Sequence, residues 1–366
     1  MPIADAIVIG GGLHGCATAL HLALRGIRPV LLERGTIGRH ASGANAGGVR
    51  STNRHVAELP LALPALERWR RLSDLLDEDL EFHAGGHLLL AETAAEMATI
   101  EARAAQTAAL GYDFERVIRG NALRDLAPAL PATLHGALFS ATDGSANPMR
   151  TVAAYRRRGE AAGVRVHEGA AVTALSHDGR GWTVRTATEA FTSPLVVNCA
   201  GAWGGLVAAA TGDPVPLKAE APMMMVTART RPFLEPVVQT MGRKLTLKQV
   251  GNGTVLIGGG HRAAIVGDGT ELDFDELRIS ADTATSLFPH LAAVPLVRAW
   301  AGIEGFMPDR IPVIGLSTRH PGLLHAFGFS GHGFQLGPIV GELLAELAAT
   351  GASSLPIQPF RIDRFG

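Results

Sequence analysis

Gly10, Gly12 and Gly15 form a G-x-G-x-x-G run that follows a short apolar stretch, residues 3–9, and opens a segment of helical periodicity, residues 13–25. Glycines at this spacing permit a tight turn and let the backbone approach a pyrophosphate, and the N–H groups that open the helix, near Leu13 and His14, then face its negative charge. A second apolar stretch, residues 29–33, ends in Glu33. A carboxylate there accepts hydrogen bonds from both ribose hydroxyls and repels a phosphate on the same ribose. The glycine run alone is a weak signal. With Glu33 at the end of the next strand, and Arg34 beside it, it points to an adenine dinucleotide.

Three later stretches separate a flavin from a nicotinamide. Ser42, Gly43, Asn45, Gly47 and Gly48 belong to a second small-residue run suited to close backbone approach. Residues 196–203 read as a strand ending in the small-residue turn Ala200-Gly201, with Trp203 after it. Gly331, His332, Gly333, Phe334 and Gln335 precede the last helix, whose N–H groups would stabilise negative charge gathering on a flavin carbonyl. A chain that starts with the nucleotide turn and returns to it so late suits FAD.

Elements that position these residues follow from periodicity. Residues 3–33 read as strand–helix–strand, hence a parallel sheet. Helices are expected over 58–80, 92–110, 150–163 and 338–349, and strands near 164–168, 171–176, 181–186 and 195–199. Between 216 and 294 the texture changes to short β-like runs at 223–227, 244–249 and 254–258, which suggests an antiparallel sheet with one partly exposed face. The fold class is therefore α/β, a Rossmann-like FAD-binding domain plus a substrate domain built on a mostly antiparallel β-sheet with helices. The first is expected from residues 1–80, 140–215 and 295–366, the second from 81–139 and 216–294.

The chain has 366 residues, a prior for two domains at roughly 150 residues each. With 47% hydrophobic and 18% charged residues it can fill a large core, which excludes disorder as its main state. Basic and acidic residues nearly cancel, 33 against 34, so nothing points to nucleic acid or a charged membrane surface. No bilayer-spanning apolar run and no signal-peptide pattern is seen, which reads as a cytoplasmic protein. Cys16 and Cys199 are the only cysteines; both read as packing residues, a disulfide framework is excluded, and no metal site is expected. Arg156–Arg158 read as a solvated helix face and Met223–Met225 as packing of a sheet face.

Taken in order, GGGLHG, SGANAGG, VVNCAGAW and the MPDRIPVIG…FGFSGHGFQLGP tail resemble the D-amino acid oxidase superfamily, which includes glycine oxidase, sarcosine oxidase and the β subunits of proline and hydroxyproline dehydrogenases. The resemblance runs the whole chain. It implies FAD, with Val172 among the residues near it, and oxidation of a C–N bond next to a carboxylate by hydride transfer. It also implies the site. Glycine oxidase-like members carry an arginine after W-A-G-x, whereas Trp300-Ala301-Gly302-Ile303 is followed by Glu304. In sarcosine oxidases the carboxylate clamp is an arginine of the early flavin loop plus a lysine of the GHGF-x segment; Arg50 matches the first, with Arg54 the next candidate, and Gln335 stands at the second. Glu304 is then placed to meet a cationic substrate group, Lys248 to sit over the flavin and promote oxygen reduction, and His332 to position backbone. The cysteine that binds flavin covalently in sarcosine oxidases aligns near Gly302, so FAD is expected to be non-covalent.

The reading is an FAD-dependent oxidoreductase for an N-substituted or cyclic amino acid: an N-carboxymethyl amino acid, D-proline or D-hydroxyproline, or an opine. Oxygen or an electron-transfer partner is the acceptor, and the oligomeric state is left open. Two rivals remain: an NAD-dependent dehydrogenase sharing only the first motif, which gives the tail no role, and a non-catalytic or electron-transfer FAD subunit of a multi-subunit dehydrogenase.

Overall fold

The computed structural model describes residues 4–366, so Ile3, the first residue of the expected opening strand, lies outside the described residues. The strand Ala6–Ile9 sits in a six-stranded sheet in the order Val313–Leu316, Leu323–Phe327, Val196–Asn198, Ala6–Ile9, Pro29–Leu32, Arg165–His167. All its pairings are parallel except that of the edge strand Val313–Leu316. Side chains of the central strands alternate between two apolar layers. Ala6, Val8 and Leu31 pack under the helices Leu13–Leu24 and Gly333–Thr350. Ile7, Ile9, Val30 and Leu32 face Trp182, Val184 and Phe191 of a three-stranded antiparallel meander.

The first and last helices cross closely because glycines remove the obstructing side chains. A Cβ at Gly337 would lie 2.4 Å from the Leu13 side chain, and one at Gly341 2.6 Å from Ala17 Cβ. That crossing brings the N-terminus of the last helix beside the glycine turn. The helix begins at Gly333, earlier than the expected start at residue 338. Proline at a first helical position is a common start signal, but here Pro338 lies inside the helix, one turn past its beginning.

The second sheet has eleven strands built around the long strand Lys218–Thr227 and is mostly antiparallel. Its one parallel step joins Val237–Thr240 to His87–Ala91, in register Val237 with His87. Three features depart from the sequence expectation. The strands His87–Ala91 and Gly136–Ser140 come from apolar runs too short and continuous to show a period. Leu296–Ala301 and Glu304–Phe306 fall in the range expected for the nucleotide domain, yet both pair with Lys218–Thr227. The second sheet thus extends to Phe306. The helix Phe274–Leu287, capped by Asp273 accepting from the Glu276 N–H at 3.0 Å, interrupts the expected β texture. Met223 and Met225 pack an apolar sheet face, as read from the sequence. Among the described residues, no helix is long and apolar enough to cross a membrane.

Candidate active site

A cavity of about 430 Å³ runs from the glycine turn to the face of the second sheet. At its nucleotide end the glycines are fixed by contact. Gly10 adopts φ +106°, and a Cβ there would lie 2.3 Å from the Cys199 carbonyl oxygen. A Cβ at Gly15 would lie 1.9 Å from the Gly10 oxygen. Only glycine tolerates both the conformation and the approach. Glu33 accepts from the Gly11 N–H through Oε2 and from the Gly35 N–H through Oε1, each at 2.7 Å. Its carboxylate is thus held at the cavity wall by the turn itself, with lone pairs remaining for a ribose. Ser42 Oγ accepts from the Leu13 N–H at 2.9 Å, at the opening of the first helix, where a phosphate oxygen would sit. These features fit a dinucleotide, and the small-residue edge formed by Ala200, Gly201, Gly331 and Gly333 continues the same cavity toward the last helix.

Residues read as cofactor contacts divide into those that border the cavity and those that shape it. Gly12, Leu13, His14, Arg34, Ser42, Asn45, Gly48, Val172, Trp203, His332 and Phe334 border it. Gly15, Gly43 and Gly47 do not; they allow neighbouring backbone to pass, with a Gly43 Cβ falling 2.3 Å from the Gly38 oxygen and a Gly47 Cβ 2.1 Å from that of Ala146. Asn45 folds its loop, donating to the Ala41 and Ser42 carbonyls and accepting from the Gly47 N–H. Arg34 lies over the Trp203 ring at 4.4 Å and pairs with Asp268. His14 stacks on Phe329 at 3.7 Å, and burial pushes its imidazole down to about 3, so it is neutral.

At the other end, Arg50 borders the cavity and donates to the Thr52 carbonyl at 2.5 Å. Asp143 accepts from both the Thr52 N–H and hydroxyl, which anchors this loop. Burial, reinforced by the charge of Arg54, lowers the Arg50 guanidinium to about 10, which leaves it cationic at neutral pH. Arg54 also borders the cavity, but its donors are engaged: Nε with the Arg50 carbonyl, Nη1 with Glu58 at 3.5 Å, Nη2 with the His332 carbonyl at 2.8 Å. His332 is wired in turn to Glu58 and to the Arg310 carbonyl. This network holds the loop that opens the last helix, and Glu58 within it was not singled out from the sequence.

Glu304 borders the cavity and accepts from the Gly331 N–H at 2.7 Å. Loss of solvent pushes its carboxyl up to about 7. Lys248 is buried beside the cavity wall, donating to the Ala146 carbonyl at 3.2 Å, with burial lowering its ammonium to about 8. Its Nζ would lie 3.0 Å from a Cβ at Gly47, so it stands behind that turn.

Gln335 is placed differently from the sequence reading. It is fully buried, donates through Nε2 to the Ala62 carbonyl at 2.5 Å, and does not border the cavity. The reason is helical rotation: Gly333 and Phe334 face the cavity, and the next position turns onto the neighbouring helix Leu59–Trp69. Gly302, read as lacking the covalent cysteine, has no room for a side chain, since a Cβ would fall 2.5 Å from Ala44 Cβ. Residues that the sequence did not single out also border the cavity from the second sheet: His87, Val237, Gln239 and Thr246. No local signal marks them: their strands are short, and pairing with other strands sets their facing, with Leu88, Leu90, Val238 and Leu247 of the other face forming the sheet's core.

Comparison with known proteins agrees with this architecture. The chain is 27% identical over 379 residues to a glycine oxidase of Geobacillus kaustophilus, covering 98% of this chain and 97% of that protein. It is 27% identical to the mitochondrial sarcosine dehydrogenase of Homo sapiens, of which it spans 41%. The crystal structure of L-proline dehydrogenase from P. horikoshii superposes with a TM-score of 0.92 at 26% identity, covering 100% of this chain and 98% of that one. Residues 5–347 match the family model described as DAO, FAD dependent oxidoreductase, and the chain belongs to that family.

Proposed function

We propose that this enzyme oxidises the C–N bond of an amino acid, N-substituted or cyclic, with Arg50 holding the substrate carboxylate and Glu304 facing its amine. The observation that carries this reading is that a guanidinium and a carboxylate of near-neutral acidity border one cavity, beside the loop that opens the last helix. Arg50 is the arginine with donors to spare. Arg54 is spent on Glu58 and His332, so the division between anchor and scaffold follows from the hydrogen bonds.

Bound FAD supplies the acceptor for the hydride that leaves the substrate α-carbon. The chain's own work is to orient that carbon, to exclude water and to neutralise the amine. A substrate ammonium must lose a proton before its nitrogen lone pair can assist hydride departure. Glu304, held through one oxygen by the Gly331 N–H and with its carboxyl pushed up to about 7 by burial, can take that proton at its other oxygen. The same carboxylate favours a substrate whose nitrogen carries positive charge on entry. Similarity to the glycine oxidase, the sarcosine dehydrogenase and the L-proline dehydrogenase supports glycine-type, N-methylated and cyclic amino acids as the substrate range. The crowded Gly302 supports FAD held without a covalent link. Lys248, behind the Gly47 turn, has a structural role as an anchor for Ala146.

The test is anaerobic flavin bleaching against D- and L-amino acids, N-methyl and N-carboxymethyl amino acids, imino acids and opines. Bleaching by one chemical group of this panel is expected. A yellow protein that no member bleaches refutes the reading.

A further inference from the structure

Resting on the amino-acid oxidation proposed above, we infer that the wall opposite the glycine turn recognises a hydroxyl group on the substrate's side chain or ring, through His87 with Gln239 and Thr246. His87 is fully buried, yet it borders the cavity; the Gln239 carboxamide approaches one of its ring nitrogens, and the other has no partner among the described residues. A buried imidazole nitrogen with no partner is costly to keep, and such a group at a cavity wall marks a ligand contact.

The sheet register explains why these side chains meet. Val237 pairs with His87 on one side, and Gln239 with Thr246 on the other, so all three polar residues point to the cavity while Leu88, Val238 and Leu247 fill the core behind. Gln239 Nε2 donates to Thr246 Oγ1 at 2.8 Å, which leaves the threonine hydroxyl hydrogen free to donate. Burial and the Arg50 charge keep His87 neutral, with one donor and one acceptor nitrogen. A wall that presents a donor and an acceptor together complements a hydroxyl, which is both. A second carboxylate would offer acceptors only, and an ammonium donors only.

The experiment compares matched pairs on the holoenzyme: proline with 4-hydroxyproline, alanine with serine, and the N-carboxymethyl forms of alanine and serine, in both enantiomers. The readout is kcat/KM for anaerobic flavin reduction. A site built around a substrate hydroxyl rejects the analogue lacking it, so the hydroxylated member of the reactive pair is expected to win by about ten-fold or more. His87→Phe should collapse that ratio toward one, and His87→Asn, which keeps a donor and an acceptor, should restore part of it. Flavin content and thermal melting establish that each variant is folded; should His87→Phe fail to fold, Gln239→Leu, expected to lower the ratio in the same way, replaces it. A ratio near one in the wild type, or one that the variants leave unmoved, overturns the hydroxyl recognition alone. Reduction by no member of any pair overturns the amino-acid oxidation itself, and the inference falls with it.

Discussion

Replacing Arg50 by alanine isolates the carboxylate anchor, because the residue's other tasks are borne by its backbone. The Arg50 carbonyl accepts from Arg54 Nε at 2.8 Å, and Asp143 holds the following loop through Thr52; neither bond involves the guanidinium. Within the protein the side chain gives up its contact with the Thr52 carbonyl and its charge on His87, which burial alone also lowers, together with whatever it gives the substrate. Truncating one partner of a desolvated charge pair costs about 2–5 kcal/mol, because the remaining charge is left buried and alone. At 1.36 kcal/mol per factor of ten, kcat/KM should fall by roughly thirty- to several-thousand-fold. Arg50→Lys should recover part of the loss, since an ammonium keeps the charge but not the planar fork. The assay is anaerobic flavin reduction by the substrate identified from the bleaching panel, with flavin content and melting temperature as controls. Turnover near the wild-type level in Arg50→Ala, with normal flavin, would refute the assignment and move the anchor to another group of the cavity.

Glu33→Ala removes the acceptor for the Gly11 and Gly35 N–H groups and for the ribose; FAD should bind roughly ten- to a hundred-fold more weakly, a loss of about 1.5–3 kcal/mol read by dialysis and flavin fluorescence. Glu304→Gln should be more stable than the wild type at pH 8 but not at pH 5: the folded-state carboxyl, raised to about 7, contributes stability that is present below its unfolded value near 4.5 and lost as pH rises through 7, whereas glutamine does not titrate, and melting curves of the apoprotein at both pH values check this. The same variant should lose the rise in kcat/KM with pH that Glu304 ionisation produces near 7. Gly302→Ala forces a methyl to within 2.5 Å of Ala44 and should cost about 1–3 kcal/mol in denaturant unfolding.

The nucleotide half was legible because its chemistry is local. Gly10, Gly12, Gly15 and Glu33 lie in one strand–helix–strand unit, and the turn they form is fixed by contacts among near neighbours. The second sheet was less legible. His87–Ala91 is buried throughout, so its sequence HLLLA shows no alternation, and the face that His87 occupies is set by pairing with Val237–Thr240 far along the chain. Gln335 was misplaced by a single step of helix rotation, a quantity that depends on where the helix starts, and that start is hidden by Pro338. The division of labour between Arg50 and Arg54 was equally hidden, since it depends on Glu58 and on His332, a residue from the other end of the chain.

The central claim is oxidation of a C–N bond next to a carboxylate, and product analysis of a single anaerobic turnover tests it most directly. With the amino acid that bleaches the flavin, the account predicts the two-electron-oxidised product in amounts equal to the flavin reduced: for an open-chain substrate the imine, which water hydrolyses to an oxo acid and the released amine or ammonia, and for a cyclic one the ring imino acid with its nitrogen retained; a bleached flavin with the amino acid recovered intact would contradict it.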